Sequence, residues 1–379
     1  MAAGPVEIPP QVLVNAALPQ PHHRTKGFRS ALKEATEGLQ RIFDTKNPVL
    51  TMAASGTGGM EACVANLFSP GEEVLVCVTG QFGARWGDIA EAYGLVVHRM
   101  ESEWGDPVNI KELEAKIRRH ADYAGVLCTF SETSTGVEND IKAIGELLKS
   151  TNAVLVVDGI SGVGALPFHT DAWNVDALVV GSQKGLMIPP GLAFVALSEK
   201  AQKRMASSKS PKYYFSFAKA LKSLTAEEMP DTPFTPAVSL ILQLRESIRG
   251  IEKQGLESVW KKGERLGEAT RIGVKALGLK LLASAGFSNV VTAVDCRDGK
   301  VDPGKVVKGL LSRFGISIIG GQGKLKGKIF RLGHVGHVDE LDVLATMAAL
   351  ELVLKESGAD VKLGAGVAAV QEYFLKAGG

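Results

Sequence analysis

The chain has 379 residues, 45% of them hydrophobic, and carries 43 basic and 41 acidic residues for a net charge of +2. Such a length and composition predict a globular protein of two or three domains with a large buried core. The near-neutral balance gives no reason to expect a nucleic acid or an anionic membrane as partner. The four cysteines, Cys63, Cys77, Cys128 and Cys296, form no CxxC pair and read as reduced residues of an intracellular, cytoplasmic protein. The opening MAAGPVEIPPQVLV lacks a basic n-region and has two prolines where an apolar segment would begin, so no signal peptide is expected. Apolar runs are of strand length, which excludes a transmembrane helix.

Residues 1–14 read as an N-terminal segment. An apolar run at 48–53 leads into a helix that continues to about Leu67. Strands are predicted at 74–78, 95–97, 126–130, 153–157, 177–180 and 193–197, and helices at 84–93, 110–119 and 141–149. Strands apolar on both faces, alternating with helices, predict an α/β domain with a mostly parallel sheet covered by helices. The link between 177–180 and 193–197 is too short for a crossover helix, so this hairpin adds one antiparallel strand. Residues 199–233 are lysine-rich and read as irregular, leading into EMPDTPFTPAV, whose prolines stop secondary structure. Residues 239–276 read as a long helical region with a break near Gly250 or Gly255. Strands at 289–294, 315–319 and 328–332, with helices at 303–314 and 338–356, predict a smaller α+β domain. The expected division is 1–14, 15–253 and 254–379.

Lys184 sits in the mouth of the apolar hairpin, in GSQKGLMIPPGLAF. It is either a solvated turn lysine, which snorkels outward, or a nucleophile that must lose its charge. Three segments bear on that choice. SGTGGMEA, residues 55–62, opens a helix, where small residues let backbone N–H groups approach an anion; Ser55 or Thr57 as a simple cap explains it as well. Asp158 ends the run AVLVVD, as a loop cap or as a functional carboxylate at the sheet's carboxyl edge. It precedes Lys184 by 26 positions, room for one loop and one strand, so both can reach the same edge. SETSTGVEND, residues 131–140, follows a strand and offers hydroxyls that cap the next helix or reach a ligand. Together, in this order and all at strand ends, these features favour the nucleophilic reading of Lys184.

In this order the motifs AGPVEIPP, SGTGGMEA, SETSTGV, VVDGISGVGALP, GSQKGLMIPPGLAFVALS, TPFTPAVSLILQLRESI and KGKIFRLGHVG resemble the class V aminotransferases of fold-type I, of the alanine–glyoxylate and serine–glyoxylate type. The resemblance implies pyridoxal 5'-phosphate as cofactor, with Lys184 as the Schiff-base lysine and Asp158 as the partner of the pyridine nitrogen. It implies Ser55, Gly56, Thr57 and Gln183 as phosphate ligands and Thr133 as the donor to the ring oxygen. Ile160 would pack beneath the ring and Phe82, in TGQFGAR, would stack above it, where tryptophan often stands in this family and histidine in cysteine desulfurases. Thr235 would reach the phosphate in the partner's site of a homodimer; an ordinary N-cap for the helix near Ser239 is the other reading. Arg331, flanked by Ile329, Phe330 and Leu332, would bind the substrate carboxylate through two parallel hydrogen bonds; a structural ion pair is its alternative. The stretch before GPV is short for the family, and NAALPQPHHRTKGF matches it only loosely.

The implied reaction moves an amino group from a small amino acid, alanine or serine, to a 2-oxo acid, glyoxylate or pyruvate. Two alternatives share the fold: a cysteine desulfurase-like lyase, which needs a nucleophilic cysteine on a mobile loop, and a non-catalytic subunit that binds a partner. GGQGKLKGK, residues 320–328, fails the G-x-x-x-x-G-K-[ST] pattern and reads as a mobile loop beside Arg331. HVGH, residues 334–337, lacks a third ligand at metal spacing and reads as a turn, so no metal is expected.

Overall fold

A computed structural model describes residues 1–377. Its centre is a seven-stranded sheet in the order Val49–Ala53, Leu192–Leu197, Ala177–Gly181, Val154–Asp158, Gly125–Thr129, Glu73–Val78, Val96–Glu101. All strands run parallel except Leu192–Leu197, which pairs antiparallel with both neighbours. The expected mostly parallel sheet and its single antiparallel strand are both present.

The apolar runs have a physical cause. Leu75, Cys77, Val126, Cys128, Leu155, Val157, Leu178 and Val180 pack on one face, with the stripe Phe28, Leu32, Leu39 and Ile42 of the helix Lys26–Phe43. The alternate residues Val74, Val76, Leu127, Val154, Val156 and Val179 pack on the other face, with Met60, Val64 and Trp86 of the helices Gly56–Leu67 and Gln81–Ala92. Both sets of alternating side chains are therefore buried, as a helix-covered parallel sheet requires.

A second, four-stranded antiparallel sheet has the order Lys280–Leu281, Val291–Asp295, Ile329–Gly333, Ile319–Gly320. The helices Leu256–Ala276, Pro303–Phe314, Glu340–Glu356 and Ala365–Ala377 share its core. Among the described residues, no helix is long and apolar enough to cross a membrane.

Several elements differ from expectation. The edge strand runs to Glu101, past the predicted 97, because an edge strand tolerates the polar His98 and Arg99. The strand expected at 315–319 shrinks to Ile319–Gly320, since Gly315 is a left-handed helix cap at φ 67°. Residues 199–233 are not wholly irregular: Ser198 and Ser216 cap two short helices, Glu199–Met205 and Phe217–Leu224. The helix Lys26–Phe43, capped by Thr25, was not anticipated. The long helical region does break at Gly255 (φ 85°, ψ 127°), into Val238–Gln254 and Leu256–Ala276.

Gly255 donates its backbone N–H to Ile251 and Glu252 while holding that left-handed turn. Gly255→Ala is expected to destabilise the protein by about 1–3 kcal/mol, the cost of a non-glycine residue in a sparsely populated backbone region. The midpoint of urea unfolding at unchanged m-value measures this.

Candidate active site

Six parallel strands end on one edge, and the loops after five of them carry the candidate residues. Asp158 is the last residue of its strand and lies across from Val179, two residues before the next strand ends at Gly181. Lys184 follows three residues later, in the turn before the returning strand. The sheet thus brings Asp158 and Lys184 together.

Lys184 is half-buried, and its Nζ donates to the carbonyl of Ala3 at 2.5 Å. Burial brings its ammonium down from 10.5 to about 8; Asp158 opposes that shift and Arg331 adds to it. A solvated turn lysine would show neither feature. Asp158 is 4% exposed, and its Oδ1 accepts from the Ile160 N–H at 2.9 Å. Burial raises its carboxyl to about 7, with Glu132 adding to the rise and Ile160, Arg85 and Lys184 opposing it.

Arg331 is 2% exposed in the strand Ile329–Gly333. Its Nε and Nη2 donate to the Gly320 carbonyl at 3.0 and 2.8 Å, and Nη1 donates to the Thr133 carbonyl at 2.7 Å. Among the described residues, no carboxylate forms an ion pair with it, so the structural ion pair is overturned. Burial lowers this guanidinium to about 10, against the pull of Glu132.

The helix Gly56–Leu67 starts at Ser55, whose side chain makes no capping bond. Its first N–H groups are therefore available to an anion. A Cβ at Gly56 would come within 2.5 Å of Ile160 Cδ1, so Ile160 lies against the helix start. Thr57 Oγ1 accepts from Arg85 Nη1 at 3.0 Å, and the Arg85 guanidinium lies 4.8 Å from the centre of the Phe82 ring. Gln183 Oε1 is a buried acceptor with no partner among the described residues. Thr133 is buried with its hydroxyl 3.4 Å from Ser161 Oγ. The next helix is capped by Asp140, which frees the Ser/Thr cluster of that duty.

Thr235 stands apart. It is exposed, in a loop near the start of the helix Val238–Gln254. That helix has Ala237 at its N-cap position, so Thr235 is not its cap. His334 is a core residue bonded to Asn289 O at 2.9 Å and Thr292 Oγ1 at 3.0 Å. The lysine-bearing loop forms a 3₁₀ turn, Gly323–Leu325, whose Leu325 packs with Trp104. It is anchored there, not the free loop the sequence suggested.

The Aminotransferase class-V family model matches residues 13–327. The chain belongs to this family. It is 39% identical to the soluble hydrogenase small subunit of a Synechococcus species, over 100% of this chain and 98% of that protein. It is 35% identical to the serine–glyoxylate aminotransferase of Methylorubrum extorquens, covering 98% of this chain and 94% of the relative. The crystal structure of ureidoglycine–glyoxylate aminotransferase from Bacillus subtilis superimposes with a TM-score of 0.93 at 31% identity, over 98% of this chain and 97% of that one. The expected class V membership and fold are thus borne out.

Three contributors escaped the sequence analysis of this class V chain. Glu132, fully buried, accepts from the N–H groups of Phe82 (3.1 Å), Gly83 (2.9 Å) and Ser134 (3.1 Å) and from the Ser134 hydroxyl at 2.5 Å. It fixes the start of the helix that carries Phe82. Burial raises its carboxyl, and these donors hold it back. Arg85 joins Phe82 to Thr57. The N-terminal segment crosses the site: Val6 N–H donates to Gln183 O at 3.1 Å, Gly333 N–H donates to Met1 O at 2.7 Å, and a Cβ at Gly4 would collide with Lys184 Nζ. The SETST run carried a signal for Glu132, an acid among strand-end hydroxyls. A segment that acts through its carbonyls leaves no such mark.

Lys184 is expected to react as a free amine with a midpoint near pH 8, where an ordinary lysine titrates near 10.5. Below that pH the ammonium is protonated and inert; above it the amine is free. Labelling of cofactor-free protein by reductive methylation, followed at Lys184 by mass spectrometry across pH, checks the value. Asp158→Asn should move the midpoint lower, since that carboxylate favours the charged form.

Proposed function

We propose that this chain is a pyridoxal phosphate-dependent transaminase that passes an amino group from a small amino acid, alanine or serine, to a 2-oxo acid, glyoxylate or pyruvate. The observation that carries this reading is Arg331, a buried guanidinium bonded only to carbonyls, beside a lysine of depressed basicity. Such a guanidinium favours a carboxylate, which it can grip with two parallel bonds.

The residues suit the cofactor. Ser55, Gly56, Thr57 and the N–H of the Gln183 amide would hold the phosphate at the helix start. Asp158 would keep the pyridine nitrogen protonated, Thr133 would donate to the ring oxygen, and Ile160 and Phe82 would enclose the ring. When bound, the cofactor supplies an electron sink for the pair left on the substrate α-carbon. Lys184, whose amine burial makes less basic than an ordinary lysine, would take the α-proton. Arg331 fixes the carboxylate so that the α-hydrogen faces that amine. Glu132 keeps Phe82 in place through its helix. In this reading Thr235 serves the partner's site of a homodimer, supported by its exposed loop and its lack of a capping role. The division at 15–253 and 254–379 is supported by the second sheet's own core, although Val290, Val291 and Val335 pack with the core of the first. A cytoplasmic location is part of the same proposal and fits four unpaired cysteines.

The alternatives fare less well. A cysteine desulfurase of Thermococcus onnurineus shares the fold, with a TM-score of 0.75 at 15% identity. All four cysteines here are buried, however, and burial pushes the Cys63 thiol far up and Cys296 to about 12. A nucleophilic thiolate needs the opposite environment. A non-catalytic subunit, or the hydrogenase function in the name of the Synechococcus relative, leaves the Lys184–Asp158–Arg331 group without a use.

The cofactor-loaded protein should lose its bound-cofactor absorbance when mixed with its amino donor and regain it with the 2-oxo acid acceptor. Borohydride reduction should fix the cofactor on Lys184, and Lys184→Ala should abolish both changes. Absence of any response across the amino acids, or reduced cofactor on another lysine, would sink the proposal. Arg331→Lys keeps the charge but loses the fork. It is expected to weaken binding of amino acid and oxo acid alike by about 1.5–3 kcal/mol, the range for a charged hydrogen bond. Titrating the half-reactions with both substrates measures it.

A further inference from the structure

Glu73, His98 and His120 meet near the amino edge of the main sheet, at the opposite end of the strands from Lys184. Glu73 opens its strand, His98 sits in the edge strand Val96–Glu101, and His120 is the C-cap of the helix Ile110–Arg119. Glu73 pairs with Val96, so His98, two residues on, points to the same face. His98 Nε2 lies 2.6 Å and His120 Nε2 3.0 Å from one oxygen, Glu73 Oε2. Only the first contact has hydrogen-bond geometry. His120 Nε2 is a buried nitrogen with no hydrogen-bond partner among the described residues. The three ligand atoms all lie within 4.8 Å of one another. The Tyr123 ring closes one wall, 4.5 Å from the His120 ring and 5.3 Å from the His98 ring.

We propose that Glu73, His98 and His120 form a binding site for a divalent transition-metal ion of the zinc class, completed by water. Two imidazoles and one carboxylate suit such an ion, whereas calcium and magnesium take oxygen donors. The unpartnered His120 nitrogen offers its lone pair to the gap that the other two ligands border. Metal bonds of roughly 2.0–2.2 Å need donor atoms somewhat farther apart than the 2.6 Å between Glu73 and His98. Glu73 must therefore draw back slightly, and its side chain, 37% exposed, has room to do so. The same exposure admits the ion and its water. Once bound, the ion ties the edge strand, its neighbour and the end of a helix together. It braces the open side of the sheet, where Val96 is 47% exposed.

The test uses the full-length chain, stripped with a chelator and titrated with zinc by calorimetry, with thermal unfolding in parallel. One ion per chain and a rise in Tm that saturates with the same affinity are expected. His98→Ala, His120→Ala and Glu73→Gln should each weaken binding at least about tenfold and remove the Tm rise. All three positions are partly exposed, so the variants should fold; circular dichroism in chelator checks this. A His22→Ala/His23→Ala variant controls for zinc on that surface pair and should bind as wild type. Cobalt in place of zinc should give visible absorption that His120→Ala loses. No Tm rise at millimolar zinc, or unchanged stoichiometry in His98→Ala/His120→Ala, would overturn the proposal and leave a carboxylate hydrogen-bonded to imidazole.

Discussion

Charge held out of water at one sheet edge is the constraint on which the rest of this protein depends. Lys184, Asp158, Glu132 and Arg331 lie close enough to perturb one another, and burial is the largest cause of every shift. An isolated buried ion is costly, and a buried pair stabilises only when its geometry is good. Here the groups are not matched into pairs. Glu132 rests on backbone N–H groups, Arg331 on two carbonyls and Lys184 on a third. Each keeps its charge or its acidity partly uncompensated, which makes the edge receptive to a ligand with anionic groups and a polar ring.

The parallel sheet makes such an edge possible. Every parallel strand ends on the same side, so residues distant in sequence converge without long loops. The helices that follow add the positive ends of their dipoles to the same region. The antiparallel strand Leu192–Leu197 does something different. It returns directly beside Ala177–Gly181, and Ser182 binds across the turn to Pro189 O at 2.8 Å. Lys184 is thereby mounted on a short, cross-braced turn between two central strands.

Much of this was legible in the sequence, for reasons that differ by residue. Lys184 and Asp158 stand out because each interrupts an apolar run, and polar residues there need an explanation. Arg331 was legible for the same reason. The small sheet's short strands were less so, because two-residue strands carry no periodicity. Helix Lys26–Phe43 bears an apolar stripe, but among six charged residues and without a neighbouring motif to frame it. Glu132 was hidden within a hydroxyl-rich run whose obvious reading was capping. Arg85 looked like one more helix-surface arginine until its contacts with Phe82 and Thr57 were seen. Of the N-terminal segment only the motif AGPVEIPP was legible, and not its contact with the site, since the atoms that make that contact are main-chain oxygens and nitrogens.

That last point reaches beyond legibility. The segment from Met1 to Val6 meets the site through the carbonyls of Met1 and Ala3 and the amide of Val6. Contacts written in the main chain are indifferent to the side chains that happen to decorate them. Yet Gly4, whose lack of a Cβ makes room for Lys184, and the buried Ala3 and Val6 are held to small or apolar side chains, while the exposed Pro5 is not. The wall above the lysine is therefore built from main-chain atoms and small packed side chains, and a larger residue at Gly4 would push directly on Lys184.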